Sequence, residues 1–446
     1  MLDNLGTTGR SVYPKGGVLP KRLRLSGLTA CWLTVLIIAA VGLYFGPVLA
    51  PFSADLQPVY AQVSEDAKFW VFDGHMHPTS SVYRRGGTIG EPNADPRFTL
   101  PLAKKGGLGA AFVNTSIDEF LEANHIAVKE ALRQFDHFYR ELAKYPDEIA
   151  VATDADQVRT LREEGRIAAI LSIEGALALE GDLGVLRMFH RLGLREMNLV
   201  HLLGNNIGDV MHSSENGGKG YGLTEYGREL VAEMNRLGIV IDLSHTAEQT
   251  VLDVMAVSTQ PVTTTHSGVS ALMSSPTLPN WNDEMIRKLA ETNGVICVPF
   301  LPMIVDQEYQ DKFHRGRPRG SGLVGLDPLV YRGDPTTIYD FIREKRSGGE
   351  SGRSRMAEER GRSLPPLSAH LDHIDYIVRL VGVDHVGIST DWGGYPVNVR
   401  GMENAGDYQN VAQALLDRGY SRQDVAKVMG ENLLRVLDEV VSTTGN

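Results

Sequence analysis

Residues 71–78 read VFDGHMHP. An apolar strand runs up to Asp73, a glycine interrupts it, and His75 and His77 follow at positions i and i+2. On an extended backbone two such residues project from one face, so a strand end can offer two imidazoles to one metal ion. That spacing also arises by chance on surface loops, and its weight comes from recurrence. Further histidines and a glutamate stand downstream in the same setting, each just after a short apolar run.

Eight such runs read as strands: 69–73, 109–114, 167–173, 196–200, 239–243, 261–265, 294–300 and 385–389. They lack clean polar alternation, as expected of strands buried on both faces of a parallel sheet. Helical patterns separate them, for example over 119–144, 184–192, 224–237, 248–257 and 282–291. Eight strand–helix units predict an α/β fold, a (β/α)8 TIM barrel. A doubly wound open sheet is the alternative, but no Gly-rich phosphate loop follows the first strand, which weakens a nucleotide-binding version of it. Two regions depart from the pattern. Residues 83–105 read as a long loop above the first strand, and 306–366, dense in Arg, Gly, Ser and Glu, form a long insertion between strands seven and eight. Loops of that length on a barrel commonly cover the site or contact partners.

Seven polar residues end six of the eight strands. His75 and His77 end the first, Glu174 the third (LSIEGA), His201 the fourth (MNLVH), His245 the fifth (IDLSH), His266 the sixth (VTTTHSG) and Asp391 the eighth (GISTDWGG). Any one alone reads as a satisfied structural histidine or a capping acid. Six coincidences on the face where barrel enzymes do their chemistry do not. Imidazole and carboxylate without thiolate suit zinc or another divalent transition metal. His75, His77, His245 and His266 suffice for two ions if Glu174 bridges them. Two ions about 3.5–4 Å apart can activate a shared hydroxide and clamp a substrate oxygen. Asp391 is then placed to move the proton to a leaving amine, and His201 to donate to an oxyanion. The reaction class is hydrolysis of an amide or ester.

The 446 residues, 42% hydrophobic and 22% charged, suffice for a core of barrel size, and the formal charge of −11 argues against a general nucleic-acid surface. Two cysteines, Cys31 and Cys297, exclude a disulfide framework and a Cys-rich zinc site. Residues 28–50 are apolar and uncharged, and Lys21, Arg22 and Arg24 precede them. About 20 such residues cross a bilayer, and the basic flank favours a cytoplasmic N-terminus. The expected organisation is a cytoplasmic tail (1–27), a transmembrane signal-anchor (28–50), a linker (51–66) and a metal-dependent hydrolase domain (67–446). That places the barrel outside the cytoplasm, in the periplasm of a bacterium. A signal peptide cleaved after Val59-Tyr60-Ala61 competes with the anchor and exports the barrel equally. The polar end, 442–446, has no glycolipid-attachment character.

These motifs resemble the membrane (renal-type) dipeptidases, peptidase family M19 of the amidohydrolase superfamily. The likeness runs from about residue 69 to 437 and rests on an ordered series: DGHMHP, SIEGA, REMNLVHLLGNN, GLTEYGRELVAEMNRLGIVIDLSHT, PVTTTHSG, HIDYIV, DHVGISTDWGG and GENLLRV. It implies a (β/α)8 fold, a binuclear zinc centre and hydrolysis of a dipeptide to two amino acids. Position by position, it implies that His75 and the residue at 77 hold the first ion and that Glu174 bridges. His245 and His266 hold the second, His201 binds substrate, and Asp391 serves as acid and base.

This chain departs from that family twice. The family usually has His-x-Asp where His75, Met76 and His77 stand here, which leaves the site more positive by about one charge. Family members also place an arginine soon after the sixth-strand histidine, for the free carboxylate of the dipeptide. Residues 275–283 here, SPTLPNWND, contain none, and Arg315, Arg317 or Arg319 of the insertion are the candidates to replace it. The alternatives are therefore an amidohydrolase acting on N-acyl amino acids or lactones, and an inactive barrel kept as a binding protein. A homodimer is the commonest assembly for such chains, although no stretch marks an interface.

Overall fold

The computed structural model describes residues 68–92, 95–117, 126–202, 204–211, 220–273, 280–313 and 359–442. All lie in one compact unit, Gln62–Asn446. The expected anchor (28–50), Arg315, Arg317, Arg319 and most of the 275–283 stretch fall outside the described residues. Among the described residues no helix is long and apolar enough to cross a membrane.

Eleven strands are described: β1 (Val71–Met76), β2 (Leu108–Ser116), β3 (Ile149–Val151), β4 (Ile167–Glu174), β5 (Leu194–Asn198), β6 (Val240–Asp242), β7 (Val262–Thr264), β8 (Gly268–Val269), β9 (Asn280–Trp281), β10 (Val295–Pro299) and β11 (Val386–Ser389). The main sheet runs β1-β2-β4-β5-β6-β7-β10-β11, all parallel. Its two ends meet just past the strands, where the Asp391 N–H donates to the His75 carbonyl (2.8 Å) and the His77 N–H to the Trp392 carbonyl (2.7 Å). The result is a nearly closed parallel barrel of eight strands in the α/β class. Each expected strand lies on this path.

The differences are local. β3 pairs only with the start of β4, and β8 with β9 forms a separate two-stranded sheet; at two or three residues each, they carry no readable period. β1 runs on to Met76, so His75 lies within the strand, whereas β5 stops at Asn198 and leaves His201 three residues beyond it. Of the expected helix over 119–144, the described part is Ala127–Leu142.

The strands are buried on both faces: every residue of β1, β2 and β4 is out of solvent. Helices begin where capping chemistry allows. The Thr224 hydroxyl accepts from the Gly227 N–H and opens Glu225–Leu237, and Gly238, at φ +68°, closes it. Asn282 caps Asp283–Glu291 in the same way. The C-terminal helix Asn432–Ser442 packs Leu433, Leu434, Val436, Leu437 and Val440 into one core with Phe72, Ala110, Phe112 and Ile170. Gly430 is needed just before it, because a Cβ there would stand 2.6 Å from the Phe72 nitrogen.

Helix Leu367–Val381 covers β10 with two buried histidines. The His370 Nε2 lies 3.0 Å from the Val298 carbonyl, to which it donates, and its ring stacks on Phe300 at 4.1 Å and 24°. The His373 Nδ1 accepts from the Val269 N–H at 2.9 Å. Burial pushes His370 down to about 3 and His373 to about 4, so both are neutral core residues. A depressed folded-state pKa contributes stability that is present above the unfolded value of about 6.5 and lost as pH falls toward the folded one. Denaturant midpoints should therefore decline as pH drops from about 6.5 toward 3. His370→Gln, which does not titrate there, should show a shallower decline, and an equal slope would remove His370 as a cause.

Candidate metal centre

The barrel brings all seven expected site residues to its C-terminal mouth. His75 and His77 leave β1, Glu174 ends β4, His201 and His245 stand three residues past β5 and β6, and His266 and Asp391 stand two past β7 and β11. Their polar atoms converge on the Glu174 carboxylate, which is only 5% exposed. Glu174 Oε2 lies 3.5 Å from His77 Nε2, while Oε1 lies 3.4 Å from His75 Nε2, 3.4 Å from His245 Nε2, 3.8 Å from His266 Nε2 and 3.6 Å from His201 Nε2. Asp391 Oδ1 is 3.4 Å from His77 Nε2. Within the two histidine pairs, Nε2 faces Nε2 at 3.0 Å (His75, His77) and 2.7 Å (His245, His266).

Three groups of these side chains could each hold a cation: His75, His77 and Asp391; Glu174, His245 and His266; and His75, Asp242 and His266. In each, the donor atoms lie within 4.8 Å of one another. Ligands about 2.0–2.1 Å from one zinc in tetrahedral array stand roughly 3.4 Å apart, close to the separations around Glu174. In His75, His77 and His266 the opposite ring nitrogen is occupied elsewhere, which presents Nε2 to the centre. His75 Nδ1 lies 3.0 Å from Asn114 Nδ2 and 3.1 Å from Thr265 Oγ1, His77 Nδ1 3.2 Å from Ser116 Oγ, and His266 Nδ1 3.1 Å from Thr265 Oγ1. Such outer partners fix ring orientation in metal sites.

The electrostatics call for positive charge. Burial works against a charged His75, yet the Glu174 carboxylate, with Asp391 and Asp242, raises it to about 9. Burial also opposes a charged Glu174, but His201, His245 and His75 hold it well below the usual carboxylate range. Burial, with His75 and His245 beside it, pushes His266 far down. Three carboxylates and four imidazoles in one buried mouth are a donor set for divalent cations, and the residues present fit a metal centre.

Two of the ligating candidates sit on unusual backbone. His245 has φ +65° and Asp391 φ +53°, left-handed values that cost a non-glycine residue energy and gather at functional sites. Gly394 makes room for Asp391: a Cβ there would lie 2.0 Å from Asp391 Oδ1.

The sequence reading missed the layer behind the ligands. Asp242 accepts from the Ser244 N–H and hydroxyl and from the Thr265 N–H and hydroxyl, the last at 2.5 Å. Asp73 ties β1 to β11 through the Thr390 hydroxyl (2.6 Å) and takes the Tyr408 hydroxyl (2.5 Å). The available signal was a polar side chain inside an apolar strand, such as Asp242 in VIDLSH, Ser172 in LSIE or Asn114 in FVNTS.

Fold and site together define a metal-dependent hydrolase built on a parallel barrel. The family described as membrane dipeptidase (peptidase family M19) matches residues 63–445, and the chain belongs to that family of metallopeptidases. It is 29% identical over 343 residues to dipeptidase tcpJ of Claviceps purpurea, covering 75% of this chain and 67% of that one. To dipeptidase aclJ of Aspergillus oryzae it is 30% identical over 348 residues, 76% of this chain and 69% of the other. Among solved structures it resembles the probable dipeptidase PvdM from Pseudomonas aeruginosa, with TM-score 0.65 and 26% identity over 84% of this chain and 96% of that one. A metallopeptidase from Rhodobacter sphaeroides, liganded with a phosphinate mimic of the dipeptide L-Ala-D-Ala, shares the fold with TM-score 0.63 at 24% identity, over 84% and 99% of the two chains.

Glu174→Gln should lower cation uptake, since one carboxylate faces both histidine pairs. The loss should equal or exceed the roughly 10–100-fold that removing an outer partner costs. Metal analysis after dialysis checks this, and loading equal to that of the unmutated chain would exclude Glu174 as a ligand.

Proposed function

We propose that this chain is a zinc-dependent dipeptidase with two ions, one held by His75, His77 and Glu174 and the other by Glu174, His245 and His266. The observation that carries this reading is the position of Glu174, with Oε2 toward His77 and Oε1 toward His245 and His266. When bound, the two ions supply Lewis acidity and lower the pKa of water enough for attack on an amide near neutral pH.

The side chains divide the remaining work. Asp391, 3.4 Å from His77 Nε2 and partly open to solvent, takes the proton of the attacking water and passes it to the leaving amine. His201 is partly exposed, and its ring meets that of His245 edge to face at 4.9 Å, on the accessible side of the centre. From there it donates to the oxygen that gains charge in the tetrahedral intermediate. The dipeptide is the substrate class that the family and the phosphinate complex of the Rhodobacter relative support. The absence of arginine from 275–283 favours a second reading, in which the same chemistry acts on N-acyl amino acids or lactones. In either reading, residues 28–50 anchor the chain and the barrel faces away from the cytoplasm. Release of the native protein from membranes by alkaline carbonate would contradict the anchor.

The deciding experiment loads the protein with zinc and assays amino-acid release from dipeptides beside matched N-acetyl amino acids, with and without chelator. Chelator-sensitive cleavage of dipeptides alone is the expected outcome; cleavage of the capped compounds alone would replace the dipeptidase reading with the second one. In the same assay Asp391→Asn should keep its metal and lose about 100-fold or more in turnover, and full activity would remove Asp391 from the mechanism.

A further inference from the structure

Beneath the ligands, a chain of polar side chains crosses four adjacent strands of the barrel. It starts at His75 on β1, whose Nδ1 lies 3.0 Å from the Asn114 side-chain amide on β2. Asn114 turns its Nδ2 to His75 and its Oδ1 to the Ser172 hydroxyl on β4, and Ser172 also meets the carboxyl of Glu196 on β5. The strand register explains the alignment, since Asn114 pairs with Ser172 and Ser172 with Glu196, which places the three side chains on one face of the sheet. His75, Asn114, Ser172 and Glu196 are all fully buried.

We propose that Glu196 is a positioning residue for the metal centre, terminating a hydrogen-bond chain through Ser172 and Asn114 that fixes the ring of His75 with Nε2 toward the cation. The inference rests on the metal-centre reading above. Glu196 belongs to none of the three groups that could hold a cation.

The donor arithmetic supports the proposal. Ser172 has one hydroxyl proton and two polar partners, so it can donate to only one of them and must accept from the other. A His75 that ligates through Nε2 carries its proton on Nδ1 and must donate there. Ligation by His75 therefore requires the Asn114 amide to turn over from its orientation in the structure, so that its oxygen accepts from His75, its nitrogen donates to Ser172 and the Ser172 hydroxyl donates to Glu196. Asn114 and Ser172 then each give one hydrogen bond and take one, His75 gives one, and Glu196 is the terminal acceptor that sets the direction. Before that turn the Ser172 proton is directed at Asn114 Oδ1 and the amide offers its N–H to His75, which favours the tautomer that cannot ligate; Glu196 is the acceptor that can draw that proton away. Thr265 also reaches His75 Nδ1, at 3.1 Å, but it approaches from β7 and does not set the Asn114 amide.

Two observations mark Glu196 as more than filling. Its second carboxyl oxygen is buried with no hydrogen-bond partner among the described residues, a cost that a leucine or methionine would not incur. Burial, then the neighbouring Asp242, also pushes its pKa well above the usual range.

The test is a cobalt(II) titration of the full-length chain, followed by absorption, on the unmutated protein and on Glu196→Leu, Glu196→Gln, Ser172→Ala and the Leu–Ala double variant. Glu196→Leu should weaken one of the two binding steps by about 10–100-fold, as loss of an outer partner does. Glu196→Gln keeps an acceptor and should bind like the unmutated chain. Ser172→Ala should reproduce the Leu defect with little change of volume, and the double variant should be no worse than the weaker single one, because both cut the same chain. Unaltered binding by Glu196→Leu, a Gln variant as weak as the Leu variant, or additive losses would each overturn the inference while the metal centre stands. Failure of the unmutated chain to take up cobalt would overturn the metal-centre reading and this inference together.

Discussion

A carboxylate buried among imidazoles governs this structure. Glu174 is almost out of solvent, and a buried carboxylate costs several kcal/mol unless donors or cations surround it. Here five imidazoles, from the ends of four different strands, point their Nε2 atoms at it from 3.4–3.8 Å. Much of the geometry follows from that demand. The register of the parallel strands must bring the ends of β1, β4, β5, β6 and β7 to one point, and the barrel must close so that β1 and the segment after β11 share hydrogen bonds at His75 and His77. The left-handed backbone of His245 and Asp391 is the local cost of aiming those side chains inward.

The barrel interior is correspondingly divided. Toward the bottom it is an ordinary apolar core, with Phe72, Phe112 and Ile170 packed against the C-terminal helix. Toward the mouth it becomes polar, where Asn114, Ser172, Glu196, Asp242 and Thr265 occupy positions that apolar side chains would fill with less strain on hydrogen bonding. Each of these groups orients a neighbour, and the arrangement exchanges stability for orientation, as functional sites commonly do. The buried histidines of helix Leu367–Val381 show the contrast. His370 and His373 are as buried as the ligands but lie against backbone groups and an aromatic ring, and their environment keeps them neutral.

Membership of the membrane dipeptidase family rests on a match across residues 63–445. In this chain a histidine stands at 77, where the resemblance leads to the expectation of a carboxylate, and no arginine follows His266 within 275–283. The first change alters the charge of the centre without removing a donor, since imidazole and carboxylate both serve divalent metals. The second bears on what the mouth recognises, because a guanidinium pairs with a carboxylate through two parallel hydrogen bonds that few other groups reproduce.

The sequence by itself determined the eight main strands and the seven residues at their ends. Both signals are local: a strand announces itself by a short apolar run, and a side chain just past it is obliged to sit at the strand's end. Motif order then gave the family. Three-residue β3 and the two-residue pair β8 and β9 were not legible, because their pairing comes from neighbours distant in the chain. The layer behind the ligands was equally hidden. Asn114, Ser172 and Glu196 are single polar residues in apolar strands, and only the register between strands, a property of no one segment, lines them up behind His75. Tertiary structure likewise decided that His370 and His373 belong to the core while His75 and His266 belong to the centre, because a histidine's role depends on the charges that surround it and not on its type.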